Sequence, residues 1–102
     1  MAIQPPPLEV VLREVLGVPV RLYILMILAE SRLKMKQKCL RLSELSEEVN
    51  MPPTVLRDVH LNRLEELRFI KMVENGEDPL YDITQLGEQL LKGLYSTLRS
   101  SK

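Results

Sequence analysis

Side chains able to do covalent or metal chemistry are scarce in this chain: one histidine, His60, and one cysteine, Cys39, among 102 residues. A structural zinc site takes four ligands drawn from Cys and His, so this pair does not build one. No serine or cysteine has an evident base partner, as an activated nucleophile requires. The four glycines are scattered rather than gathered into a phosphate loop. Carboxylates are plentiful, but they fall on the polar sides of helix patterns or in a hairpin loop. The chain therefore reads as a non-enzyme, with no cofactor and no metal expected. His60, between Leu56 and Leu64 on an apolar helix face, is expected to be packed or half-buried rather than a titrating switch. Cys39 is either an inert small residue of a short strand or, beside Lys38, a redox-sensing thiol.

What remains is charge and hydrogen bonding. Lys plus Arg and Asp plus Glu number 14 each, giving a formal net charge of zero. That argues against a protein that coats nucleic acid by electrostatics alone, since non-specific affinity comes from neutralised phosphates. It leaves room for a local basic patch. Arg32, Lys34, Lys36, Lys38 and Arg41 form the one pronounced run of cations. It is either a phosphate-contacting patch or a solvated helix end, where cations suit the C-terminal dipole. A single cysteine excludes an internal disulfide, and MAIQPPP is no basic start followed by an apolar run. A cytoplasmic location is therefore expected.

The elements that must position these groups follow from periodicity. Residues 1–7, with three consecutive prolines, are expected to be irregular, residues 8–98 to form a single domain, and residues 99–102 to fray. A short helix starts at Leu8 and breaks at Gly17 and Pro19. Val18 to about Lys36 is a helix so apolar that a second molecule is expected to cover part of it. It is too short and too interrupted by Arg21 to span a bilayer, which needs about 20 apolar residues. Cys39-Leu40 forms a small strand. Leu42, Leu45 and Val49 mark a helix with Ser43 as its cap, ended by a left-handed Asn50 and by Pro52-Pro53. Thr54 starts the next helix, which runs to about Arg68. Leu56, His60, Leu64 and Leu67 share its inner face, flanked by Val55, Val59 and Leu61, so burial along its whole length is expected. Asp58, Asn62 and Glu65 face solvent. Phe69 to Glu74 and Leu80 to Ile83 are strands joined through Asn75-Gly76, a strong hairpin signal. Thr84 caps a final helix to about Leu98, and Gly87 in its first turn implies a close backbone approach.

This order of elements resembles winged helix-turn-helix domains, as in the MarR, PadR and ArsR-type transcription regulators, a group abundant among archaea. The resemblance rests on Leu45, Val49, Leu64, Glu65, Ile70, Tyr81, Ile83, Thr84, Gly87 and Leu90 and covers roughly residues 19 to 95. It implies an α+β, mostly helical fold, here with an extra N-terminal helix and a C-terminal helix. It also implies a homodimeric regulator that binds double-stranded DNA through the helix from Thr54 in the major groove. Thr54, Arg57 and Asn62 would then read bases, since Arg pairs with guanine and Asn with adenine. Lys34, Lys36, Lys38 and Arg41 would hold phosphates, with Arg68 and Lys71 at the base of the wing as secondary contacts.

The sequence departs from that pattern in three ways. Arg68 stands where the family often has glycine. The helix from Thr54 is about one residue longer than the common spacing, which implies a bulge or an altered entry. The wing tip is acidic, with Glu74, Glu77 and Asp78, and Asp58 shares the proposed DNA side unless Arg57 neutralises it. These acids keep a second reading open: a winged-helix module that binds a protein partner without direct DNA readout.

Overall fold

The computed structural model describes residues 5–34 and 39–100, without the side chains of residues 34 and 98–100. Five helices and a three-stranded antiparallel sheet follow one another in the expected α+β order. Helix α1 is Leu8–Val11, continued by a π-helical turn over Leu12–Leu16. Helix α2 is Pro19–Lys34, strand β1 is Leu40–Arg41 and helix α3 is Leu42–Val49. Helix α4 runs unbroken through Pro53–Val55, a π-helical Leu56–Leu61 and Asn62–Glu66. Strands β2 (Ile70–Val73) and β3 (Leu80–Ile83) make the hairpin, and helix α5 is Gln85–Ser100. β3 is the central strand, pairing Leu40 with Tyr81 on one side and Ile70 with Ile83 on the other.

One core serves every element. Ile24, Leu25 and Leu28 from α2 pack with Val15, Leu45, Leu56, Leu61, Leu64, Phe69, Tyr81 and Ile83, all essentially buried. Among the described residues no helix is long and apolar enough to cross a membrane.

Local chemistry explains the joints. Asn50 closes α3 in the left-handed conformation (φ 58°), so that its own N–H and that of Met51 satisfy the last carbonyls. Thr84 accepts the Gly87 N–H at 3.1 Å and donates to the Arg68 carbonyl at 2.7 Å, capping α5 and tying it to the end of α4.

Ser43 is not the cap expected of it. The helix starts at Leu42, and its free N–H groups are satisfied from the wing. Asp78 accepts the Ser43 N–H at 3.0 Å and the Ser43 hydroxyl at 2.8 Å, and the Pro79 carbonyl accepts the Leu42 N–H at 2.9 Å. Glu44 reaches back to the Arg41 N–H at 2.9 Å. Asp78 is thus a cap supplied from 35 residues away, not a free acid on the wing tip.

Arg68 occupies the left-handed position that ends α4, with φ 68°. That conformation costs an L-residue with a Cβ about 1–2 kcal/mol. Arg68→Gly keeps the backbone carbonyl that Thr84 uses, so it is expected to raise stability by about 0.5–1 kcal/mol after the glycine entropy term. Urea unfolding checks this, and an unchanged or lower midpoint would contradict it.

Candidate nucleic-acid interface

The two ends of α4 are built differently from its middle. Pro53 starts the helix with φ preset and no N–H to satisfy, and Pro52 holds the chain extended before it. Leu56, His60, Leu61 and Leu64 then turn inward. Thr54, Arg57, Asp58 and Asn62 stay exposed on the other side, so the three residues expected to read bases share one accessible face. Asp58 does not stand alone there: Arg57 Nε donates to its Oδ1 at 3.4 Å. Both side chains are about half exposed, so the pair contributes no more than about 1 kcal/mol and separates readily for another partner.

Val55 and Val59 correct the expectation of a helix buried along its length, being 44% and 48% exposed. The cause is the π-helical segment Leu56–Leu61, seen in the Asn62 N–H bonding to the Arg57 carbonyl. A π turn takes in one residue more than an α turn, so residues on either side of it fall out of phase with a 3.6 repeat. The segment also accommodates the extra residue of this helix.

The inner side of α4 is held by a polar cluster that sequence reasoning missed. Arg21, only 9% exposed in the first turn of α2, donates from each of its three nitrogens. Nε bonds His60 Nδ1 at 3.1 Å, one terminal nitrogen bonds the Glu14 carbonyl at 2.8 Å and its carboxylate at 3.1 Å, and the other bonds the Val59 carbonyl at 3.1 Å. Arg63 Nε closes the ring onto the same Glu14 oxygen at 2.9 Å. Helices α1, α2 and α4 are thereby fixed to one another directly behind the exposed face.

The cluster sets protonation states. Arg63 first, then Arg21, hold the Glu14 carboxyl below its ordinary range. Burial, with Arg21 adding repulsion, lowers His60 below its ordinary value of 6.5. Accepting from Arg21 leaves the His60 proton on Nε2. The Ser43 hydroxyl and N–H likewise hold Asp78 low.

A lowered histidine means that the unfolded chain binds more protons between the two values. Stability is therefore complete above about pH 6.5 and falls as pH drops through the gap. The carboxylates contribute above their unfolded values, and that contribution is lost as pH falls through their folded ones. Urea midpoints measured from about pH 7.5 down to about pH 2 are expected to show this two-stage decline, with His60→Gln removing the upper stage. A flat profile would contradict it.

The other expected site residues are dispersed. Arg68 and Lys71 meet in a groove of about 680 Å³ between the end of α4, the wing and the start of α5, with Glu65 in its wall. Arg41 is exposed at the entrance to α3. Lys36 and Lys38 lie outside the described residues, as does the side chain of Lys34. Arg32 lies along the surface, donating to the Ile83 carbonyl at 3.3 Å and to Glu88 at 3.1 Å, and so clamps α2 to β3 and α5. On the wing, Glu74 and Glu77 are exposed.

A second surface lies away from α4. Leu22, Met26, Ala29 and Leu33 of α2 face Leu91, Leu94 and Tyr95 of α5 across an apolar groove of about 700 Å³. Leu33 of this groove is 80% exposed.

No family model matches the chain, and no curated protein matches it. Solved structures do. The crystal structure of AntR, an antimony-specific transcriptional repressor, is similar with a TM-score of 0.65 and 28% identity, over 90% of this chain and 78% of that one. The crystal structure of an ArsR family transcriptional regulator is similar with a TM-score of 0.58 and 19% identity, over 97% of this chain and 100% of that one. The fold is that of ArsR-type winged helix-turn-helix regulators, and these neighbours are transcriptional regulators, not enzymes.

Proposed function

We propose that this chain, with its ArsR-type winged helix-turn-helix fold, is a DNA-binding transcriptional regulator acting as a homodimer. The observation that carries the reading is the exposed front of α4, where Thr54, Arg57 and Asn62 face outward while Leu56, His60 and Leu64 anchor the helix behind them. In the major groove Arg57 would pair with guanine and Asn62 with adenine, each good contact contributing ~1–3 kcal/mol of discrimination. Arg68 and Lys71 would meet a phosphate beside the wing, and Lys34, Lys36, Lys38 and Arg41 would meet others. Asp58 fits this use of the face in one of two ways: paired with Arg57, as here, or accepting from a cytosine amine once Arg57 turns to a guanine. The antimony specificity of AntR stays with AntR: a soft metalloid favours several thiolates, and this chain has one cysteine.

The groove between α2 and α5 supports the homodimer. Contiguous apolar side chains of this kind mark an association surface, and a second copy would cover Met26 and Leu33. A two-fold dimer would read two half-sites about 34–36 Å apart. Leu33→Glu is expected to turn the dimer into a monomer in sedimentation equilibrium without unfolding it, and an unchanged assembly would contradict that interface. DNA as ligand implies the cytoplasm.

The exposed acids Glu74 and Glu77 favour the second reading, a module that binds a protein partner. Fluorescence anisotropy with the chain's own promoter fragment across a salt series separates the two. The regulator reading expects affinity to fall steeply with salt, as phosphate contacts require. No binding at low salt, with a protein co-purifying in fixed proportion, would overturn it.

A further inference from the structure

Val55 and Val59 are exposed along one edge of the face of α4 assigned above to DNA, and no described element covers them. They are four residues apart on α4, interleaved in sequence with the exposed Thr54, Arg57, Asp58 and Asn62. Neither residue lines the apolar groove between α2 and α5, so the proposed dimer does not account for them. A protein interface does not explain them well either. Two valines amid hydrogen-bonding groups fall far short of the ~800 Å² that a stable complex buries on each partner.

We propose that Val55 and Val59 are specificity-determining residues that read thymine methyl groups, so that the operator carries T·A pairs at the two positions they face. The inference rests on the DNA-binding reading and adds the base class. The thymine C5 methyl is the one apolar feature of the major-groove edge. Valine has no donor or acceptor to offer a base, and its branched side chain holds essentially one rotamer in a helix. Its methyls are therefore presented in a fixed direction. Four α-helical residues advance about 6 Å, and the π-helical segment shortens that advance, to between one and two base steps of about 3.4 Å each. The two thymines should thus lie one to two base pairs apart in each half-site.

Deoxyuridine differs from thymidine only by that methyl, which makes it the probe. The full chain is first used to select its tightest duplex from a random-sequence pool, and each thymine is then replaced in turn by deoxyuridine. At two positions per half-site the replacement is expected to weaken binding about fourfold, the value of one buried methyl. Val59→Ala and Val55→Ala should each abolish the thymine-over-uracil preference at one of those positions, and circular dichroism should show both variants folded. Uracil tolerated at every position of a duplex that still binds selectively would overturn the proposal and leave the DNA-binding reading standing. Failure to bind any duplex would overturn both, and capture of a stoichiometric protein through the valines would do the same.

Discussion

Arg21→Met is expected to lower the stability of the fold by about 3 kcal/mol, because one buried acceptor and two part-buried sets lose their donor at once. Methionine fills most of the volume but donates nothing. His60 Nδ1, the Val59 carbonyl and the Glu14 carbonyl would each be left unpaired or forced to recruit water. Arg21→Lys should be nearly as harmful, since one ammonium cannot follow three directions that a guanidinium serves from three nitrogens. With a typical urea dependence, the unfolding midpoint should drop by roughly 2 M. DNA affinity should fall further than the unfolded fraction explains, because the cluster fixes α4 from behind. A midpoint within the scatter of wild type would show that the cluster is not structural.

Gly87→Ala is the second large effect, and it has a built-in control. A Cβ at Gly87 would collide with the Phe69 carbonyl oxygen and come within 2.7 Å of Ile83 Cγ1. The Phe69 carbonyl cannot give way freely, because it accepts the Thr84 N–H at 3.0 Å where β3 passes into α5. Overpacking of this kind costs about 1–3 kcal/mol, even though alanine suits a helix better by about 1 kcal/mol. Gly93 lies in the same helix, and a Cβ there would meet nothing within 4 Å. Gly93→Ala should therefore stabilise by about 0.5–1 kcal/mol. Opposite signs in thermal unfolding are expected. If both substitutions stabilise, the wing does not press on α5 as described.

The architecture could be read from the sequence because its joints carry local signals. Asn50, Pro52-Pro53, Asn75-Gly76 and Thr84 each dictate a backbone conformation or a cap within a few residues, and each is found in that role or at that break. Arg68 was a departure from the family pattern, and the backbone nonetheless keeps the left-handed conformation that glycine would hold without strain.

What stayed hidden depends on contacts distant in sequence. Arg21 looked like an interruption in an apolar helix, and its partner His60 is 39 residues away. A signal was present: a lone arginine and a lone histidine on two apolar faces each need a partner, and each satisfies the other. Asp78 looked like an exposed acid because its role as a cap is visible only when the wing folds back onto α3. Val55 and Val59 were assigned to the flank of the core because a helical wheel assumes a constant turn, which the π-helical segment breaks. Arg32 was counted in the basic run, but it is drawn to the Ile83 carbonyl and Glu88.

The most direct test of the account is amide chemical-shift mapping of the full chain on titration with a duplex from its own promoter at low salt. The account predicts the largest shifts at Thr54, Val55, Arg57, Asp58 and Asn62, smaller ones at Arg68 and Lys71, and none along Met26 and Leu33. Shifts confined to the groove between α2 and α5, or no shifts at all, would contradict it.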